Sequence, residues 1–162
     1  MNTSGSCWRM STTTEPSQVS ETAIEQVVID RLASSHSFTV GTCGPEGPWV
    51  AGAFFVEADP FTLELVLEKS GRTVRNITTN PQVAVLVAAG TPFEPFLQAQ
   101  AVAEIVTGDA DAAVRAALVA KVPEAAAFLQ APIHAVRLRV SSWRATDVKN
   151  GWLPGKVLTR GR

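Results

Sequence analysis

From Phe38 onward the chain reads as a series of strand-like runs separated by turn signals only a few residues long, and this spacing limits the fold more than any other feature. Parallel neighbours need a long crossover between them, so runs this closely joined pair antiparallel. The clearest run is Phe61 to Glu68, where Phe61, Leu63, Leu65 and Leu67 share one face at the two-residue period of a half-buried strand. Before it, Phe38 to Cys43 and Trp49 to Glu57 flank Gly44-Pro45-Glu46-Gly47-Pro48, which holds four breakers in five residues and reads as a hairpin with a short loop. Asp59-Pro60 makes the next turn. Val83 to Ala89 is an almost continuous apolar run, the pattern of a strand covered on both sides. Gln98 to Thr107 alternates, with Gln98, Gln100, Val102 and Glu104 on one face and Ala99, Ala101, Ala103 and Ile105 on the other. Paired glutamines with small neighbours opposite suit close approach to something polar. Ile133 to Val140, continued by Trp143 to Asp147, and Trp152 to Leu158 after the turn at Asn150-Gly151 bring the count to six or seven strands.

Helices enter at a few places. Ile24, Val27, Val28 and Leu32 make one apolar stripe over residues 21–35, and Thr22 with Glu25 has the spacing of a capping box. A short helix follows Lys69 and is closed by Asn80-Pro81. Asp109 or Asp111 is placed to cap a helix carrying Val114, Leu118 and Val119, and Pro123 suits the first position of another through Phe128. Closing the antiparallel strands into a barrel is the economical way to protect their edges. No βαβ rhythm and no Gly-rich strand-to-helix turn supports a dinucleotide-binding fold. The expected fold is mainly β within the α+β class: a six- to seven-stranded antiparallel barrel with an N-terminal helix and peripheral helices.

With 162 residues, 46% hydrophobic and 18% charged, the chain suits one compact domain over residues 20–162. Residues 1–19 are rich in Ser and Thr, contain Pro16 and show no apolar period, so they read as a flexible tail, with Met10 a second candidate start. A formal net charge of −1 removes the case for bulk nucleic-acid binding. No stretch approaches a membrane span and the N-terminus lacks a signal-peptide core, so the expected location is the cytoplasm. Cys7 and Cys43 are too few for a disulfide framework or a zinc site, and Cys43 reads as a plain buried thiol. His36 and His134 are isolated and read as structural, so no metal site is expected. Arg137, Arg139 and Arg144 read as a solvated strand face, with interface ion pairing or anion contact as the alternative, and Trp49, Trp143 and Trp152 as core or interface aromatics.

The segment richest in chemistry is Lys69-Ser70-Gly71-Arg72-Thr73-Val74-Arg75-Asn76. Cations, hydroxyls and the first turn of a helix lie together just past a buried strand, so a phosphate there would meet Arg forks, hydroxyl donors and free helix N–H groups. A solvated basic turn has the same composition. The residues alone leave both readings open.

The order of helix, hairpin, strand, this basic turn and then Asn80-Pro81-Gln82-Val83-Ala84-Val85 resembles the flavin-binding split-barrel superfamily typified by pyridoxamine 5′-phosphate oxidase. The resemblance runs from about residue 22 to residue 158. It is closest to a small bacterial branch, through Ala51-Gly52-Ala53-Phe54-Phe55, Ala131-Pro132-Ile133-His134-Ala135-Val136-Arg137-Leu138 and the terminal Gly151 to Leu158. The resemblance implies a homodimeric split barrel holding flavin mononucleotide (FMN) at the subunit interface. It places the phosphate near the basic turn and the isoalloxazine against the second and third strands. It gives Arg72 and Thr73 the phosphate contacts, with Arg75 and Asn76 in support and Lys69 and Ser70 ending the preceding strand. Backbone groups of Gly52, Ala53 and Phe54 face the ring, and Gln98 or Gln100 bonds a ring or ribityl oxygen; for Trp152, read first as a core or interface aromatic, the alternative is that with Lys156 it lines the cofactor from the partner subunit. One departure is Thr73, where cofactor binders of the family often carry Lys; Arg72 stands beside it. The Arg and His set of vitamin B6 chemistry is absent. The implied activity is therefore an FMN-dependent oxidoreductase acting on another small molecule. The alternatives are an 8-hydroxy-5-deazaflavin-dependent reductase of the same fold, a non-catalytic protein that stores or senses flavin or haem, and a structural dimer that has lost its pocket.

Overall fold

The structure, a computed structural model, describes residues 19–161. The expected tail lies outside this range except for Val19, which packs against the core. Helix α1 (Glu21–Ser34) leads into β1 (Ser37–Gly44), β2 (Gly47–Asp59) and β3 (Thr62–Glu68), followed by α2 (Arg72–Thr79) and β4 (Gln82–Val87). Then come β5 (Phe96–Val106), α3 (Asp109–Lys121), a 3-10 segment (Pro123–Gln130), β6 (Ile133–Asp147) and β7 (Trp152–Thr159). The seven strands run β3-β2-β1-β4-β5-β6-β7, and β3 also pairs with β6. That extra antiparallel pairing, from Thr62↔Arg139 to Glu68↔Ile133, closes six strands into a barrel and leaves β7 as an added strand on β6.

Closure works because alternate residues of every wall strand are apolar. Phe38 and Val40, Leu63 and Leu65, Val83, Val85 and Val87, Leu97, and Val136, Leu138 and Val140 all face a common core. Phe38 and Phe55 meet edge to face at 5.2 Å between ring centroids. Ile24, Val28 and Leu32 of α1 pack against β5, β6 and β7, and Trp143 donates its indole N–H to the Pro60 carbonyl at 2.6 Å.

Several expectations are corrected. The cap of α1 is Ser20, whose hydroxyl accepts from Ala23 N at 3.2 Å; Glu21 already has helical geometry, so Thr22 lies inside the first turn and cannot cap. The cap of α3 is Gly108, at φ 64° where a side chain is disfavoured, and Asp109 and Asp111 fall inside the helix. The β1–β2 loop is shorter than its breakers suggest: Gly44 pairs with Gly47, and only Pro45 and Glu46 make the turn. Strand β3 is covered on both faces, because α3 packs over it; Glu64 is buried and accepts from Arg137 Nε and NH2 at 2.9 and 2.7 Å. Arg137 is thus an ion-pair partner of β3, and Arg139 pairs with Glu104 at 3.2 Å. Strand β4 shows the opposite error. Val83, Val85 and Val87 are buried but Gln82, Ala84 and Leu86 are exposed, because nothing among the described residues packs on their side. Cys43 alternates outward and is exposed. Among the described residues no helix is long and apolar enough to cross a membrane, and no cluster of three or more His, Cys, Asp or Glu could hold a metal ion.

Candidate functional site

A groove of about 830 Å³ lies on the outer surface of the barrel wall, a size that suits a small-molecule site. Its floor follows from strand alternation. Phe38, Val40 and Thr42 of β1 turn inward, so Ser37, Thr39 and Gly41 turn outward. Register sets Phe54 opposite Ser37 and Gly52 opposite Thr39 on β2, and Leu86 of β4 opposite Thr39 on the other side. Val66 and Glu68 at the end of β3, Ala88 and Ala89 beyond β4, Ile133, and Phe128 and Ala131 around the 3-10 segment complete the walls. Phe54 and Phe128 meet edge to face at 5.7 Å, and Phe54 is held from behind by Leu118, Val122 and Ala125.

The lining is apolar apart from Ser37, Thr39 and Glu68, whose carboxylate accepts from Ser70 Oγ at 2.9 Å. Gly52 is informative. A Cβ built there meets no heavy atom within 4 Å, and the backbone is not in the left-handed region, so neither packing nor conformation requires glycine. What its missing side chain preserves is an open floor on the β2 side of Thr39, across that residue from Leu86. Gly52, Ala53 and Phe54, all expected against a planar ring, therefore line one cavity together.

The basic turn joins β3 to α2 and is organised from within. Lys69 N donates to the Pro132 carbonyl at 2.9 Å and Gly71 N to the Glu68 carbonyl at 3.0 Å; a Cβ on Gly71 would lie 3.1 Å from that same oxygen. Arg72 reaches across to the β1–β2 turn, where NH2 donates to the Glu46 carbonyl at 2.7 Å and the guanidinium lies 4.7 Å from the Trp49 ring centroid. Its Nε is buried with no hydrogen-bond partner and stands 3.6 Å from Glu46 Oε2. Arg75 donates from NH1 to the Ser70 carbonyl at 2.7 Å, and its NH2 lies 3.5 Å from the same Glu46 oxygen. Thr73 and Asn76 take the inner face of α2. Asn76 is 1% exposed and donates Nδ2 to Thr42 Oγ1 at 2.9 Å, with Gly44 leaving room for its amide. The helix is thus pinned to β1 by Asn76, while Arg72 and Arg75 converge on one anion.

The other sequence-derived candidates lie apart. Gln98 and Gln100 are exposed on β5 and line a second, shallower depression of about 680 Å³ with Gly41, Val50, Ala84, Ser142, Arg144 and Val157. Thr39 and Leu86 belong to both depressions, so the two are continuous along the outer wall. Trp152 is buried within this chain's own core, which uses its side chain for packing. Glu46, Leu86, Phe128 and Ala131 were not legible as site residues. Glu46 reads locally as a turn residue, and the other three reach the groove only through the closure of the barrel. Two carboxylates with displaced ionisation lie elsewhere: a hydrogen bond from Arg115 holds Asp111 below its usual range, and one from Lys149 does the same for Glu94.

The family model for pyridoxamine 5′-phosphate oxidase matches residues 24–147. No curated protein sequence matches the chain. Among solved structures, a heme binding protein from Mycobacterium smegmatis superposes with a TM-score of 0.69 and 22% identity, over 88% of this chain and 59% of that one. HutZ, the heme storage protein from Vibrio cholerae, gives a TM-score of 0.61 and 23% identity over 72% and 89% of the two chains. A FAD-binding protein from Mesorhizobium loti gives 0.58 and 14% over 70% and 86%. At these identities the likeness is one of fold.

Proposed function

The chain belongs to the pyridoxamine 5′-phosphate oxidase family, and from that premise we propose that it is a cytoplasmic, homodimeric FMN-binding oxidoreductase acting on a small molecule. The observation that carries this reading is Gly52, an exposed strand glycine that nothing among the described residues requires, on the floor of an apolar groove; a convergent Arg pair stands on α2 against the tip of the β1–β2 hairpin, whose strands form part of that floor. A planar ring suits the groove: Gly52 lets it approach the backbone, and Phe54 and Phe128 form an aromatic side wall. Arg72 and Arg75 suit a phosphate, and the unpartnered Arg72 Nε is a donor waiting for an acceptor. When bound, FMN supplies the hydride or electron transfer, so no acid or base side chain is needed. The chain's own part is to hold the ring between apolar walls, limit water at its face and neutralise the phosphate.

A haem is the weaker reading for this groove, because among the described residues its lining contains no His, Cys or Met to serve as an axial iron ligand. An 8-hydroxy-5-deazaflavin with an acidic tail would want a longer run of cations than Arg72 and Arg75. The dimer is supported by exposed apolar side chains on the outer surface, among them Val50, Leu86 and Val157 around the second depression. In that arrangement Gln98 and Gln100 of one protomer approach the flavin of the other. The test is to add FMN to the purified protein, remove the excess by gel filtration and record the spectrum. Retained flavin absorbance is expected; a Soret band from the purified protein would move the assignment to haem, and a colourless product would refute flavin binding. Sedimentation as a monomer at micromolar concentration would remove the shared site.

A further inference from the structure

The two arginines assigned to phosphate already hold an anion, and it comes from the chain itself. Glu46 sits at the tip of the β1–β2 hairpin, 26 residues before Arg72, with one carboxylate oxygen 3.6 Å from Arg72 Nε and 3.5 Å from Arg75 NH2. Both distances are ion-pair distances, longer than a hydrogen bond, and the buried Arg72 Nε has no hydrogen-bond partner. The guanidinium cannot easily turn away to find one. Its NH2 is held by the Glu46 carbonyl at 2.7 Å and its plane by Trp49. The arrangement is a fixed donor pair occupied by a poorly fitting, largely exposed carboxylate.

We propose that Glu46 is a built-in counter-anion that occupies the Arg72–Arg75 site, so that a phosphate monoester binds there in competition with the tip of the β1–β2 hairpin. This rests on the reading that the basic turn takes the cofactor's phosphate. Exposed ion pairs contribute little to stability, so displacing the carboxylate is cheap. A tetrahedral phosphate carries more oxygens than Glu46 can offer and reaches donors that the carboxylate leaves unfilled. Glu46 then sets selectivity as well as affinity: it penalises ligands that bring a phosphate and leaves a ligand with the same ring but no phosphate untouched. Only the carboxylate is displaced: the Glu46 carbonyl and Trp49 still hold Arg72 to the hairpin tip.

The experiment compares the wild-type chain with Glu46→Gln, a substitution at an exposed turn position that keeps side-chain size. Inorganic phosphate is titrated while the Arg72 and Arg75 Nε–H resonances are followed by NMR. Removing a negative charge next to an incoming dianion is expected to lower the midpoint about tenfold. In parallel, FMN and riboflavin are titrated by flavin fluorescence. Glu46→Gln is expected to tighten FMN by a similar factor and to leave riboflavin within about twofold, since only FMN carries the charge. Equal phosphate midpoints in the two proteins, or equal tightening of FMN and riboflavin, would overturn the role of Glu46. The phosphate titration needs no flavin, so a chain that binds neither flavin refutes the cofactor assignment while the Glu46 competition is still decided by the midpoints.

Discussion

Across the wall formed by β1, β2 and β4, the two faces of the same strands carry different chemistry. Inward, Phe38, Val40, Val83, Val85 and Val87 are buried and fill the barrel. Outward, Thr39, Gly41, Gly52, Ala84 and Leu86 are small or apolar and carry no charge, although this chain leaves much of that surface open. A strand face meant only for water usually carries charges that discourage edge and face association. The inner residues are there for the volume they fill, and the outer ones for the volume they leave free. The groove, the second depression and the proposed dimer surface all lie on that outer face.

Substitutions can break this comparison. Leu65→Ala, on neighbouring β3 and fully buried in the same barrel core, is expected to cost about 2–5 kcal/mol in chemical denaturation, while Leu86→Ala on the outer face is expected to cost less than about 1 kcal/mol in the stability of the monomer. Comparable losses would mean that the outer face is packed in the isolated chain. Gly52→Leu should behave in the reverse way. It leaves the melting temperature close to wild type, because a Cβ there meets nothing, but fills the groove and weakens flavin retention roughly ten- to hundredfold. Flavin bound equally well by this variant would move the ring out of the groove.

Arg72→Ala separates the two parts of the candidate site. A charge-assisted contact predicts about a tenfold loss for FMN with little change for riboflavin; parallel losses would show that Arg72 acts by holding the hairpin through Trp49 and Glu46. The smallest expected effect lies away from both faces, where Arg115 donates to Asp111 and Asp111 also accepts from Ala135 N at 3.3 Å. The Asp111 carboxyl is held below its usual 3.8, so its contribution is present above that pH and is lost as pH falls through the lower folded value. Asp111→Asn should therefore reduce stability at neutral pH by up to about 1 kcal/mol, and the difference from wild type should shrink in denaturation curves below pH 3.8. A difference that is constant with pH would assign the loss to packing.

What the sequence determined by itself is local. Period-two alternation in Phe61 to Glu68 and Gln98 to Thr107 chose the inner faces of β3 and β5, and the stripe of Ile24, Val28 and Leu32 chose the buried side of α1. Breakers located the turns, and the cations and hydroxyls between Lys69 and Asn76 marked the turn that leads into α2. These features are carried by residues within a few positions of one another, so they can be read in order along the chain. The tertiary structure decided everything that joins distant positions. Pairing of β3 with β6 closed the barrel and buried Glu64 against Arg137, 73 residues away. Packing of α3 covered the face of β3 that its sequence left polar, while β4, whose sequence reads as buried on both sides, kept an open face. The groove exists because the 3-10 segment carries Phe128 over the outward side of β2, and Glu46 meets Arg72 because the hairpin tip folds toward the start of α2. The physical reason is common to all of these. Alternation fixes which way a side chain points, but what it meets there depends on which strands and helices come to lie beside it, and that is a property of the closed barrel.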